Sequence, residues 1–239
     1  MTNTTRIGIL IIGSLYWRNE QVRVNWRKAR LQADHAIKVK VPFHYGRMSK
    51  NHTYTMTFAS VVNTSTALVV PCQSGSINQS QLIAEAEALW SAEINGSTTR
   101  AISTDWGCVG ALFRDQLHNP ELVASWSRHF QEAGASSVSP VDEAGLLQIP
   151  WPKRVDGQPL DVDVLLATSN RETRTPAPEQ IADAWMEHAG TEEYFFKNVM
   201  SDIRTHEDAM IWRRMESRPE WVQRAAATFP EAVAVLRGS

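Results

Sequence analysis

The chain has 239 residues, 43% hydrophobic and 21% charged, which excludes a disordered chain and allows one large domain or a domain with a sizeable appendage. No apolar run approaches the ~20 residues that a membrane helix requires, so no membrane partner is expected. Net charge is −2 but unevenly spread: residues 1–60 carry ten Lys/Arg against Glu20 and Asp34, and the remainder is acidic.

Such a basic front could face an anionic ligand or nucleic acid. Pairing with the acidic remainder inside one fold is the favoured reading, and nucleic acid is disfavoured. The first six residues lack the basic start, apolar core and cleavage site of a secretion signal, so a cytoplasmic protein is expected. Cys72 and Cys108 make no disulfide framework and no Cys-x-x-Cys, and read as free buried thiols. No clustered Cys/His pattern supports a metal site.

In chain order, residues 7–12 form a short Ile-rich run ending at Gly13-Ser14-Leu15. That pattern predicts a buried strand leaving through a turn whose backbone N–H groups can approach a ligand. Val22, Val24 and Trp26 alternate and predict a strand. Residues 37–41 alternate as a half-buried strand that Pro42 ends, with a loop over 43–49. Strands are expected over 53–58 and 67–70.

The first clear helix spans 81–93, with cap candidates at 78–80. Leu82, Ala86, Leu89 and Trp90 form its buried stripe. Glu85 and Glu87 lie off that stripe, whereas Glu93 sits on the buried edge at the helix end, where the helix dipole raises a carboxyl pKa. Strands are expected over 98–102 and around 105–113, where Cys108 stands between two glycines.

A helix over 120–133 turns Leu122, Val123, Trp126 and Phe130 inward. Short strands are expected over 146–151 and 162–167, with Asp161 and Asp163 flanking the second. The polar stretch 168–176 follows an apolar strand, a favourable place for ligand contacts. Helices over 178–190, 208–215, 219–228 and 231–236, with Tyr194, Phe195 and Phe196 in the segment 193–200, make the chain beyond about residue 175 mostly helical.

Gly13-Ser14-Leu15-Tyr16-Trp17 after a first strand resembles the Gly-Ser-Leu-x-Trp signature of the gamma-glutamylcyclotransferase-like proteins, in particular the ChaC-type branch. The order that follows is similar too: an Arg/Trp-rich segment at 24–27, a basic loop at 44–50, two strands, and a helix ending Leu89-Trp90-Ser91-Ala92-Glu93. The resemblance covers roughly residues 7–115. Ile12 stands where that family usually has Tyr, and the chain runs about 120 residues beyond the family's minimal domain.

The resemblance implies an α+β fold, a mixed, barrel-like sheet with surrounding helices. It places a core at 1–115 and a mixed, then helical, extension at 116–239. It implies Glu93 as catalytic acid–base, and Gly13, Ser14, Leu15, Trp17, Arg27 and Arg47 as substrate-binding residues. The substrate's own α-amine would attack its γ-carbonyl to give 5-oxoproline, with no cofactor and no metal. The partner is a small-molecule substrate or ligand, and a homodimer stays open. The alternative is a non-catalytic binding or regulatory protein on the same fold.

Overall fold

The computed structural model describes residues 5–49, 52–59, 63–74, 78–96, 100–115, 119–188 and 190–238. Among them the fold is α+β, with an eight-stranded mixed sheet and eight helices. The strands are β1 (Ile7–Ile11), β2 (Ile37–Met48), β3 (Tyr54–Phe58), β4 (Thr64–Pro71), β5 (Ser103–Thr104), β6 (Gly107–Phe113), β7 (Lys153–Arg154) and β8 (Val164–Asn170). The helices are α1 (Gln21–Arg30), α2 (Gln79–Glu93), α3 (Pro120–Glu132), α4 (Pro178–Glu187), α5 (Glu193–Met200), α6 (Asp208–Glu216), α7 (Pro219–Thr228) and α8 (Pro230–Arg237). None of these helices is long and apolar enough to cross a membrane.

The sheet order is β3-β2-β4-β1-β8-β6-β5, with β7 against β2. β1 is buried along its whole length and lies between β4 and β8. It pairs antiparallel with β4 (Ile9 opposite Val70) and parallel with β8 (Ile9 opposite Leu166). A strand covered on both faces reads as a continuous apolar run rather than an alternating one. β8, from beyond residue 116, therefore sits in the middle of the sheet beside β1. The sheet also curls: Thr57 Oγ1 of β3 donates to Asn170 O at the end of β8 (2.7 Å), and Thr173 N donates to Gly46 O of β2 (2.8 Å).

Four local expectations are corrected. Residues 21–30 are helix, not strand. The face they bury carries Arg23 and Trp26, three apart, while Val22 and Val24 are only half-buried. Pro42 does not end β2, and 43–48 are strand rather than loop. Residues 37–42 of β2 pair with β4, and from Phe43 onward the strand pairs with β3. Pro42 stands where the partner changes, a position where its missing N–H removes little from the ladder. Gly46 sits at a register shift between β2 and β3, where a Cβ would overlap Thr57 Cγ2. Residues 146–151 make only isolated bridges, Leu146 to Ala111 and Leu147 to Val141. Of the strand expected over 98–102, residues 98 and 99 lie outside the described residues, and the ladder begins later, at Ser103.

The helix over 79–93 forms as its sequence predicts. Asn78 accepts from the backbone N–H of Gln81 (3.0 Å), whose side chain accepts from the Asn78 N–H (2.9 Å), a reciprocal capping box. Leu82, Ala86, Leu89 and Trp90 are all buried. Glu85 is buried as well, against expectation, because the Arg30 guanidinium of α1 meets it at 3.0 Å. The helices α4 to α8 are joined by an aromatic cluster: Trp185 stacks on Phe195, and Phe196 stacks on Trp221 and Phe229 and meets Trp212 edge-on. The buried residues of both halves form one continuous core.

Candidate functional site

The parallel strands β1 and β8 end at the same edge of the sheet, and a cavity of about 490 Å³ opens there. Its wall is assembled from distant segments: the turn after β1, the ends of β2 and β8, the last turn of α2, Trp106 between β5 and β6, and Tyr194 of α5. Each supplies a polar or charged group.

The turn at residues 13–18 is one tight coil. Tyr16 N donates to Gly13 O (3.3 Å), and Trp17 N and Arg18 N both donate to Ser14 O (3.3 and 2.9 Å). The first N–H groups of such a coil have no acceptor within it. Gly13, Ser14 and Leu15 line the cavity, and their N–H groups have no acceptor among the described residues. Arg27 holds the turn from behind, donating through Nη1 to Leu15 O and through Nη2 to Arg18 O (both 2.6 Å). Its planar fork suits two carbonyls at once. Trp17 Nε1 donates to Asn198 Oδ1 of α5 (2.8 Å). Arg27 and Trp17 thus lie outside the cavity lining and fix its floor, whereas Gly13, Ser14, Leu15, Arg47 and Glu93 line it.

Glu93 is the one of Glu85, Glu87 and Glu93 that lines the cavity. It is carried there by the C-terminus of α2, which buried Arg23 secures by donating to Ala92 O (3.0 Å) and Glu93 O (2.9 Å). Thr168 of β8 donates its hydroxyl to Glu93 Oε2 (3.3 Å). Burial pushes the Glu93 carboxyl above the usual carboxylate range, opposed by the charges of Arg23 and Arg47 and by the Thr168 bond. A carboxyl group with a raised pKa, beside positive charge, is suited both to accept and to return a proton.

Arg47 stacks on the Trp106 ring, its guanidinium carbon 4.9 Å from the centroid. No carboxylate among the described residues lies within ion-pairing distance of it. Arg18 and Arg23 also line the cavity, but both pair with Glu20 (3.2 and 3.1 Å). Arg47 is therefore the cation left for a ligand's anionic group. Other members of the basic front pair with acidic partners: Arg6 with Asp161, Arg30 with Glu85, and Lys38 with Asp202 (2.8 Å).

Tyr194 was not legible as a site residue. Its Oη stands 2.5 Å from where a Cβ on Gly13 would lie, so the phenol needs glycine at that position. The oxygen accepts from Met56 N (3.3 Å), and the ring meets Trp17 edge-on with centroids 6.0 Å apart. Thr168 and Asn170, also in the wall, fall in the polar stretch after an apolar strand that reads as a ligand-contact position. Arg23 could have been found from its i, i+3 spacing to Trp26 once that segment is read as helix.

The cysteines stand apart from the cavity. Burial pushes the Cys108 thiol up to about 11 and raises that of Cys72 as well, so neither is a ready thiolate. No group of three or more His, Cys, Asp or Glu side chains among the described residues could hold a metal ion. No protein-family model, curated protein or solved structure matches this chain.

Proposed function

We propose that this cavity is the active site of a cyclotransferase of the gamma-glutamylcyclotransferase-like type, acting on a γ-glutamyl amine or related amino-acid amide. The observation that carries the reading is that Glu93 lines one cavity with the N–H groups of Gly13, Ser14 and Leu15 and with Arg47, none of which has an acceptor or an ion-pair partner among the described residues. The match at 13–17 and the Glu at the end of α2 support the same reading from the sequence side.

The chemistry needs only proton transfer and alignment. The substrate's α-carboxylate pairs with Arg47, and its γ-carbonyl oxygen lies over the turn N–H groups. The neutral α-amine attacks the γ-carbon, forming the ring C–N bond. Glu93 accepts a proton from that nitrogen and returns it to the leaving nitrogen as the amide C–N bond breaks. The products are 5-oxoproline and a free amine. The attack is intramolecular, so holding the extended chain in a bent, near-attack shape supplies much of the acceleration. The reaction calls for no cofactor, and a cytoplasmic setting suits its soluble amino-acid substrates.

The test is 5-oxoproline release from a panel of γ-glutamyl amines, with Glu93→Gln as control. Release by the wild-type protein and its loss, by roughly 100-fold or more, in Glu93→Gln supports the reading. Binding of γ-glutamyl amines with no release by wild type would replace it with the non-catalytic binding protein. Neither binding nor release removes γ-glutamyl amines as the ligand class.

A further inference from the structure

We infer that Tyr194, from the helical second half of the chain, contacts the substrate directly: its phenol O–H donates to the reacting carbonyl oxygen held over residues 13–15. This deepens the cyclotransferase reading above and rests on it.

Four observations carry the inference. Tyr194 lines the cavity, and its Oη lies against Gly13, at the mouth of the turn whose N–H groups lack acceptors. The oxygen receives the Met56 N–H and also meets the Asn198 side chain, and no hydrogen bond donated by the phenol is found among the described residues. The side chain is 7% exposed, and the Asn198 amide donates to the Tyr194 carbonyl (2.8 Å) while accepting from Trp17, so residue, turn and helix are locked together. Finally, the Thr168 hydroxyl in the same wall is turned to Glu93 and so is not the donor over the turn.

A buried hydroxyl that already receives the Met56 N–H, and whose proton is unspent among the described residues, is oriented before the ligand arrives. As the γ-carbonyl becomes tetrahedral its oxygen gains negative charge, and a preset donor there stabilises that state more than the ground state. The phenol keeps its proton throughout: the step is a hydrogen bond, with no bond to hydrogen broken. Burial, reinforced by the Glu93 charge, pushes the Tyr194 phenol up to about 12, which keeps it a donor across the working range.

The experiment is Tyr194→Phe in the full chain, which retains the ring against Trp17. It is assayed with γ-glutamyl-alanine at a temperature where circular dichroism shows both proteins folded. The expected result is a fall in kcat of about 100-fold with KM changed less than about threefold, the split of a group acting in the transition state. A merely structural tyrosine would not separate the two constants. If wild type turns over and Tyr194→Phe keeps its kcat, this inference fails while the enzyme reading stands. If wild type binds γ-glutamyl-alanine by calorimetry without turnover, Tyr194→Phe should weaken binding about tenfold, and equal affinity overturns the contact. If wild type neither binds nor turns over, both readings fail together.

Discussion

Adding one methyl group at Gly13 tests the geometry at the centre of the site without needing any substrate. In Gly13→Ala the new Cβ would lie 2.5 Å from Tyr194 Oη, but 3.6 Å from the ring carbon that carries it. The overlap is therefore with the hydroxyl oxygen alone. That oxygen cannot easily retreat, because Met56 N–H holds it and Trp17 backs the ring. Overpacking of this kind costs about 1–3 kcal/mol. In a Tyr194→Phe background the nearest atom is at ordinary contact distance, and the same substitution should stabilise by up to ~1 kcal/mol through the lost backbone freedom of the unfolded chain. Tyr194→Phe alone leaves the buried Met56 N–H without its acceptor, for about 1–3 kcal/mol. The four proteins form a cycle whose interaction energy should be favourable by about 1–4 kcal/mol, read from urea unfolding at fixed pH. An alanine that destabilises equally in both backgrounds would show that the phenol does not rest on Gly13.

Two further outcomes concern the rest of the site. The Glu93 carboxyl is pushed up by burial, so the folded protein holds that proton more tightly than the unfolded chain does. Its contribution to stability is then present below the ordinary carboxylate range and lost as pH rises through the folded value. Glu93→Gln should accordingly be more stable than wild type at pH 7–8, with the two melting curves converging toward pH 4. A variant less stable at neutral pH would instead make Glu93 a stabilising partner of Arg23 and Arg47. Arg27→Lys keeps the charge but cannot fork onto the Leu15 and Arg18 carbonyls, and losing one charged hydrogen bond should raise KM roughly tenfold with kcat little changed.

Much of the fold is legible locally, and the failures share one physical cause. β1, α2 and the C-terminal helices α4, α6, α7 and α8 read correctly because their signals are internal: an apolar run stopped by glycine, a capping box, an amphipathic stripe. Residues 21–30 mislead because their buried face carries an arginine. What makes Arg23 tolerable inside is the C-terminal carbonyls of α2, about seventy residues away, and no local pattern reports that. Pro42 misleads because it normally ends a strand, and here it marks a change of partner within one. Glu85 is buried for a long-range reason of the same kind, its pairing with Arg30. The site follows the same rule. Gly13, Ser14, Leu15 and Glu93 sit on elements with clear internal signals, and they line the cavity. Trp17 and Arg27 are near them in sequence but point behind the turn. Tyr194 was invisible because nothing near it in the chain announces a contact with Gly13.

The position of β8 decides how the two halves depend on each other. A chain ending at residue 115 would leave β1 with one open, fully apolar edge and β6 without the strand that pairs with it from Gly107 to Phe113. It would also lose Val164, Leu165 and Leu166, each fully buried. At roughly 1.5–3 kcal/mol for each such side chain, about 5–9 kcal/mol of burial disappears, comparable to the whole net stability of an ordinary domain. An unpaired apolar edge is moreover a template for aggregation. Residues 1–115 expressed alone should therefore give insoluble protein or no cooperative melt by circular dichroism. A soluble fragment with a sharp transition would show that β8 docks onto a finished core. The expected outcome ties the chemistry to the fold: Gly13 and Glu93 belong to the first half and Thr168, Asn170 and Tyr194 to the second, and the cavity exists only where β8 has paired with β1.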